Sequence, residues 1–229
     1  MDTPLIEARG LSKSYGPAPV LRGVSLTLGA GGGALIVGSN GAGKSTLLRV
    51  LAGLSAPTIG SALLFGAPSH TLEASLRARV GLVTHQSFLY PNLTARENLT
   101  FYADLYGRPC DASAISRWLE RVGLARAAAE RVRTFSRGME QRLTLARALL
   151  NRPDALLMDE PFAALDPDGV ELACGLLREA RERGCAIVLT AHQEFAMPGM
   201  AFDCYEIVRG RLLALAEPQR EQRRSLKAS

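Results

Sequence analysis

Nine consecutive residues, Gly38-Ser39-Asn40-Gly41-Ala42-Gly43-Lys44-Ser45-Thr46, carry the pattern G-x-x-x-x-G-K-[ST] through Gly38, Gly43, Lys44 and Ser45. Glycines let a backbone fold around a phosphate with successive N–H groups pointing inward, and a following helix adds a favourable dipole for the anion. A lysine in this place sets a cation on β- and γ-phosphates, and the serine hydroxyl is a ligand for Mg²⁺. The chemistry implied is the binding of a nucleotide phosphate, with ATP and Mg²⁺ as cofactors. A second run, Ala155-Leu156-Leu157-Met158-Asp159-Glu160, delivers two acids from an apolar stretch. Asp159 suits Mg²⁺, directly or through water, and Glu160 suits polarising an attacking water. Taken alone, a strand ending in two acids is equally a surface loop. Beside a phosphate loop it reads as the second half of a catalytic site.

The elements that must position these residues follow from patterning. Leu5 to Arg9 and Val24 to Leu28 read as strands, parted by turn residues around Gly16-Pro17. Gly29 to Gly33 reads as a loop and Ala34 to Val37 as a short apolar strand leading into the phosphate loop. Thr46 to Leu54 has apolar residues at helical spacing and stops near Gly53 and Pro57. Ser61 to Phe65 and Val80 to Thr84 are further strands. From Thr94 to Leu150 the chain is rich in Arg, Ala and Leu with helical periodicity, broken at Gly107-Arg108-Pro109 and Gly123. That segment is expected to be a helical lobe inserted into the core. Ala155 to Met158 returns to a buried strand, Gly169 to Arg183 is an amphipathic helix, and Cys185 to Thr190 is apolar as a doubly covered parallel strand would be. Tyr205 to Val208 and Leu212 to Leu215 read as a hairpin around Gly210. Alternating strands and helices imply a mostly parallel sheet and an α/β fold.

Composition bounds the partners. The 229 residues are 47% hydrophobic and 21% charged, enough for a core and for a soluble surface. The net charge of +5 draws on scattered arginines and on Arg220, Arg223, Arg224 and Lys227 near the end. No basic stripe is interleaved with aromatics, so no nucleic acid is expected as a partner. Cys110, Cys174, Cys185 and Cys204 form no CxxC pair and no zinc-like spacing, which favours a reducing compartment. The start, Met1-Asp2-Thr3-Pro4, lacks a charged-then-apolar signal, and no run of about 18 apolar residues spans a membrane. Any service to a membrane is expected to run through a partner.

A third segment gives the chain a family resemblance. Phe135-Ser136-Arg137-Gly138-Met139-Glu140-Gln141-Arg142, with the helix from Leu143 to Leu149, resembles the signature motif of the ATP-binding subunits of ABC transporters, and the likeness runs over nearly the whole length. The resemblance implies one ATPase domain over residues 1–229, a P-loop NTPase core with a mostly parallel sheet, an N-terminal antiparallel β portion and an α-helical lobe inserted at about 94–150. It implies head-to-tail dimers, in which Ser136 and the Gly138 backbone contact the γ-phosphate held by the partner subunit. Locally, Ser136 reads equally as an ordinary N-cap. By the same resemblance Gln86 senses Mg²⁺ and couples to the membrane partner, His192 contacts the γ-phosphate, and Tyr15 stacks on adenine, although a strand tyrosine can equally be core. Ala164-Leu165-Asp166 resembles the loop that crosses the dimer interface. Two departures stand out. Arg137 and Met139 replace a glycine and the glutamine of the usual signature, and Ala163 stands where a serine is common.

The expected function is therefore ATP hydrolysis by a peripheral subunit at the cytoplasmic face of the cell membrane. Its partners would be a second ATPase subunit, identical or a paralogue, and transmembrane permease subunits. The expected work is export of a small substrate: the wording of the signature resembles haem exporters of cytochrome c maturation, multidrug, lipid and other small-substrate exporters share the same skeleton, and Ser87-Phe88-Leu89-Tyr90-Pro91 lies on the route to the permease. Two other readings compete: a soluble ABC ATPase acting on ribosomes or DNA, and an inactive regulatory subunit. The first usually carries paired ATPase domains or a coiled-coil insertion, and the second conflicts with the acidic pair and His192.

Overall fold

The computed structural model describes residues 3–107, 110–192 and 200–215. Arg108 and Pro109 of the expected break, and the basic residues from Arg220 to Lys227, lie outside the described residues. Among the described residues, ten strands form two sheets. The first is antiparallel, in the order β2-β1-β4-β5, from β1 (Ile6–Tyr15), β2 (Ala18–Leu28), β4 (Ile59–Leu64) and β5 (Ala67–Pro68). β1 and β2 are far longer than patterning indicates. Shifts of register between Ala8 and Leu11, Leu11 and Lys13, and Lys13 and Ser14 break the two-residue alternation that marks a strand in sequence. Tyr15 pairs with Ala18 across a tight turn at Gly16 and Pro17.

The second sheet runs β10-β9-β3-β8-β7-β6, from β3 (Gly33–Val37), β6 (Val80–Val83), β7 (Ala155–Asp159), β8 (Ala186–Ala191), β9 (Asp203–Val208) and β10 (Arg211–Ala214). β9, β3, β8, β7 and β6 are parallel to one another, and β10 closes one edge as an antiparallel hairpin partner of β9. β3 and β7 are buried at every residue. Their alternate side chains enter two separate cores. Ile36, Leu157 and Val188 pack with β1, β2 and α1 (Lys44–Leu51) on one face. Leu35, Met158 and Leu189 pack on the other, with α3 (Ala95–Leu105), α4 (Ala112–Arg121), α5 (Arg137–Leu149) and α6 (Pro167–Glu182). Both faces are covered, so the inner strands are apolar throughout.

Helix ends are set by capping. α6 starts at Pro167, before the expected Gly169, because the Asp166 carboxylate accepts from Gly169 N at 3.1 Å and proline suits a first helical position. α3 opens with a capping box between Thr94 and Glu97. α1 begins at Lys44 and ends at Leu51, shifted toward the N-terminus of its expected span. α2 (Ala74–Arg77) and β5 are too short to show in patterning. Between the neighbouring strands β6 and β7 the chain makes α3, α4 and α5, and α5 packs on β6 and α6. Among the described residues no helix is long and apolar enough to cross a membrane.

Candidate functional site

The phosphate loop, Asp159, Glu160 and His192 all lie at the carboxyl edge of the parallel sheet, where ligands of open α/β sheets bind. Val37 of β3 pairs with Ala191 of β8, and Thr190 of β8 pairs with Asp159 of β7. The phosphate loop, His192 and Glu160 thus leave three adjacent strands side by side. Between β3 and α1 the loop is pressed against its neighbours. A Cβ on Gly43 would lie 2.9 Å from Leu21 Cδ2, and Gly43 itself has φ 111°, closed to most L side chains. A Cβ on Gly38 would lie 3.0 Å from Ile207 O. Glycine is required there for room, and at 43 for room and conformation alike.

Lys44 is only 5% exposed. Its Nζ donates to Gly38 O at 2.7 Å and to Ser39 O at 3.2 Å, and lies 3.6 Å from Glu160 Oε1. The other carboxylate oxygen of Glu160 is 2.9 Å from His192 Nε2. Glu160 therefore spans the gap between the lysine and the histidine, one oxygen to each. Its backbone holds φ 50°, and its N–H reaches Thr190 O at 3.2 Å. Behind it, the buried Thr190 hydroxyl donates to Asp159 Oδ1 at 2.5 Å, which leaves Oδ2 facing His85 Nε2 at 3.6 Å. An open cleft of about 300 Å³ lies over these groups. It is lined by Ser39, Asn40, Gly41, Gly43, Lys44, Ser45 and Thr46, with Val20, His85, Glu160 and His192. Ala42 sits under the loop, its N–H donating to Ser39 O at 3.2 Å.

Other expected residues are elsewhere. Tyr15 is 55% exposed at the end of β1, with Lys13 Nζ 5.0 Å from its ring centroid, and does not border the cleft. Gln86 is exposed, and its main chain holds the Thr84 hydroxyl (2.8 Å to Gln86 O). His85 borders the cleft instead. Ser136 caps α5, accepting from Met139 N at 3.2 Å, and neither it nor Gly138 touches the phosphate cleft. Arg137 borders a neighbouring cleft of about 370 Å³ with Glu140, Gln141, His85, Asp159 and Glu160. The loop after Glu160 is tied to α5: Gln141 Nε2 donates to Pro161 O at 2.8 Å, and Arg142 Nη2 to Asp166 Oδ1 at 2.5 Å. The Arg142 guanidinium, and after it the Gly169 N–H, hold the Asp166 carboxyl below its usual range. Sequence reading missed His85 and Thr190, and took Gln141 only as part of the signature segment. Thr190 alone left a signal, as the one hydroxyl in an otherwise apolar strand.

Among the described residues no cluster of three or more His, Cys, Asp or Glu could hold a metal by itself. A hard cation here would have the Ser45 hydroxyl and an Asp159 oxygen beside it, with phosphate oxygens supplying most of its remaining ligands. That donor set fits Mg²⁺, which takes one or two carboxylates plus substrate phosphates.

A family model described as ABC transporter matches residues 21–163. Over 190 residues the chain is 42% identical to the Nod factor export ATP-binding protein I of Paraburkholderia xenovorans (strain LB400), covering 82% of this chain and 62% of that protein. It is 39% identical over 189 residues to the cytochrome c biogenesis ATP-binding export protein CcmA of Shigella flexneri, covering 82% and 89%. The chain thus spans less than two thirds of the first of these. An ATP binding subunit of an ABC transporter superposes with TM-score 0.85 at 26% identity, over 98% of this chain and 95% of that one. The dimeric ATP-binding cassette MJ0796, bound to ADP and Pi, gives 0.82 at 27% identity, over 90% and 96%.

Proposed function

The chain belongs to the ABC transporter family, and from that premise we propose that it is the ATP-binding subunit of an exporter, hydrolysing ATP in a head-to-tail dimer to drive a small substrate through separate membrane subunits. The observation that carries this reading is the bridge made by Glu160, 3.6 Å from Lys44 Nζ and 2.9 Å from His192 Nε2, at the lip of a phosphate-cradling loop. In this reading the loop N–H groups and Lys44 neutralise the phosphates, Glu160 orients the attacking water, and His192 meets the γ-phosphate. Ser45, Asp159 and Gln86 would hold Mg²⁺, which supplies charge neutralisation on the phosphate oxygens when bound. Tyr15 offers an exposed ring to adenine. Ser136 and Gly138 serve the partner subunit's nucleotide, a role supported by the exposure of Ser136 and by both residues lying outside the lining of their own chain's cleft.

Residues 94–150 act in this reading as a lobe of a single ATPase domain that docks on the permease. Its support is an aromatic surface: Phe88, Tyr90, Phe101 and Leu105 are all exposed, and the Tyr90 and Phe101 rings meet edge-on at 4.8 Å. Buried Asn98 pins that surface, accepting from Tyr90 N at 2.8 Å and donating to Thr94 O at 3.0 Å. The subunit then sits peripherally at the cytoplasmic face of the membrane. The cargo we put forward is haem, supported by the signature wording and by the CcmA relative, 89% of whose length is spanned. Purification from membranes should bring down permease subunits, and turnover should rise faster than linearly with ATPase concentration. Turnover that stays strictly proportional to concentration at every dilution, with no membrane protein retained, would sink this reading.

A further inference from the structure

A cleft of about 620 Å³ opens between α4, the turn after α5 and the end of α6. Arg117, Arg121, Arg152 and Arg183 border it with a single acid, Glu179. Four cations less one anion leave three positive charges on one concave surface. Glu179 is already shared, paired with Arg121 and lying 3.9 Å from Arg183 Nη1. Like charges converging in this way repel, and solvation explains an arginine reaching into bulk water rather than four converging on one hollow.

Two of the four have a local reason to be there. Arg121 ends α4 and Arg183 is the C-cap of α6, where a cation meets the negative end of a helix dipole. Arg152, two residues past the C-cap of α5, shares that reason only in part, and Arg117, in mid-helix, has a neighbouring hydroxyl and the Asp111 carboxylate but no helix end. Arg117 lies within α4, its Nη1 donating to Ser113 at 2.9 Å. Arg152 is exposed and holds φ 50°, a conformation that glycine or asparagine enters more cheaply. The floor is apolar, with Leu150 and the Trp118 ring, over which the Arg121 guanidinium lies 4.6 Å from the centroid. Volumes of this order suit small-molecule sites, and arginine forks match phosphate oxygens two at a time.

We propose that this cleft binds a phosphate-bearing anion, its charged group between Arg117 and Arg152 and its apolar part against Trp118, independently of the phosphate loop. A soluble phosphorylated small molecule and the headgroup of an anionic phospholipid share that chemistry. Trp118 is the chain's only tryptophan, so its fluorescence reports on the cleft. The full chain is titrated with pyrophosphate, and separately with phosphatidylcholine vesicles with and without phosphatidic acid. A saturable Trp118 response is expected, weakened by salt and by about tenfold or more in the double variant Arg117→Gln/Arg152→Gly. Both substitutions are at exposed positions and glycine suits the backbone at 152, so ATP turnover should be unchanged. Pyrophosphate that also enters the phosphate loop does so equally in both proteins, and only the difference between them reads the new site. A response to phosphatidic acid alone assigns the ligand to lipid, and a response to pyrophosphate assigns it to soluble phosphates. No saturable response to either probe, or equal affinities in wild type and double variant, overturns the proposal.

Discussion

At the mouth of the phosphate loop the polar groups are already wired to one another within one chain. Lys44 is held by two loop carbonyls, Glu160 spans Lys44 and His192, and Thr190 fixes Asp159. At the start of α5 the arrangement is the reverse. Ser136 satisfies only its own helix, and neither it nor Gly138 reaches the cleft. One region is organised for chemistry by its own fold. The other is an exposed surface whose residues have work only if something is set against them. The difference teaches that a single chain holds the charge-handling groups in place but presents, rather than uses, its signature.

The contrast can be broken most severely at Glu160. Replacing it with glutamine should lower ATP turnover by about 10²–10⁴-fold while nucleotide affinity changes little, because a positioned base is lost and no phosphate contact is. Phosphate release and equilibrium nucleotide binding check the two halves, and unchanged turnover would show that this carboxylate is not the one that orients water. Next comes Lys44→Ala, which should weaken ATP binding to the dilute chain by about 10–100-fold, as expected for a charged hydrogen-bonding partner. Ser136→Ala should leave that dilute-chain affinity alone. If both substitutions weakened it equally, the two regions would not differ as described.

Thr190→Val, nearly isosteric, should cost about tenfold in Mg²⁺-dependent turnover by freeing Asp159 to rotate, with less effect on nucleotide binding measured without Mg²⁺. Ser136→Ala should also remove about 1 kcal/mol of stability through the lost cap of α5, read as a shift in denaturation midpoint. The smallest effect concerns the tie between α5 and the loop after Glu160. Arg142 holds the Asp166 carboxyl below its usual range. A depressed carboxylate stabilises the folded chain above its unfolded pKa of about 3.9, and that contribution is lost as pH falls through the folded value. Wild type should therefore lose its advantage in thermal midpoint over Asp166→Asn as pH drops below about 4.

Much of this architecture is legible in the sequence where apolar runs are uninterrupted. β3, β7 and β8 stand out because both of their faces are buried, and the phosphate loop follows β3 directly. The far halves of β1 and β2 are hidden because their bulges shift the alternation out of phase. His85 is hidden for another reason: an exposed histidine after a strand has no spacing to mark it, and only the pairing of β6 with β7 brings it beside Asp159. The basic cleft is the extreme case. Its arginines come from α4, the turn after α5 and the end of α6, and nothing local in any one of those segments announces the others.

Glu160 also bears on how this protein can be improved or worn down. Its φ of 50° belongs to the left-handed region, where a non-glycine residue costs on the order of 1 kcal/mol. Glycine or asparagine would sit there with less strain, so the substitution that silences the carboxylate is also one the backbone favours. Yet the same change would leave the buried Lys44 cation without its carboxylate, so Glu160→Gly relieves the backbone and strains the charge balance at once. At this position the backbone and the side chain pull the choice of residue in opposite directions.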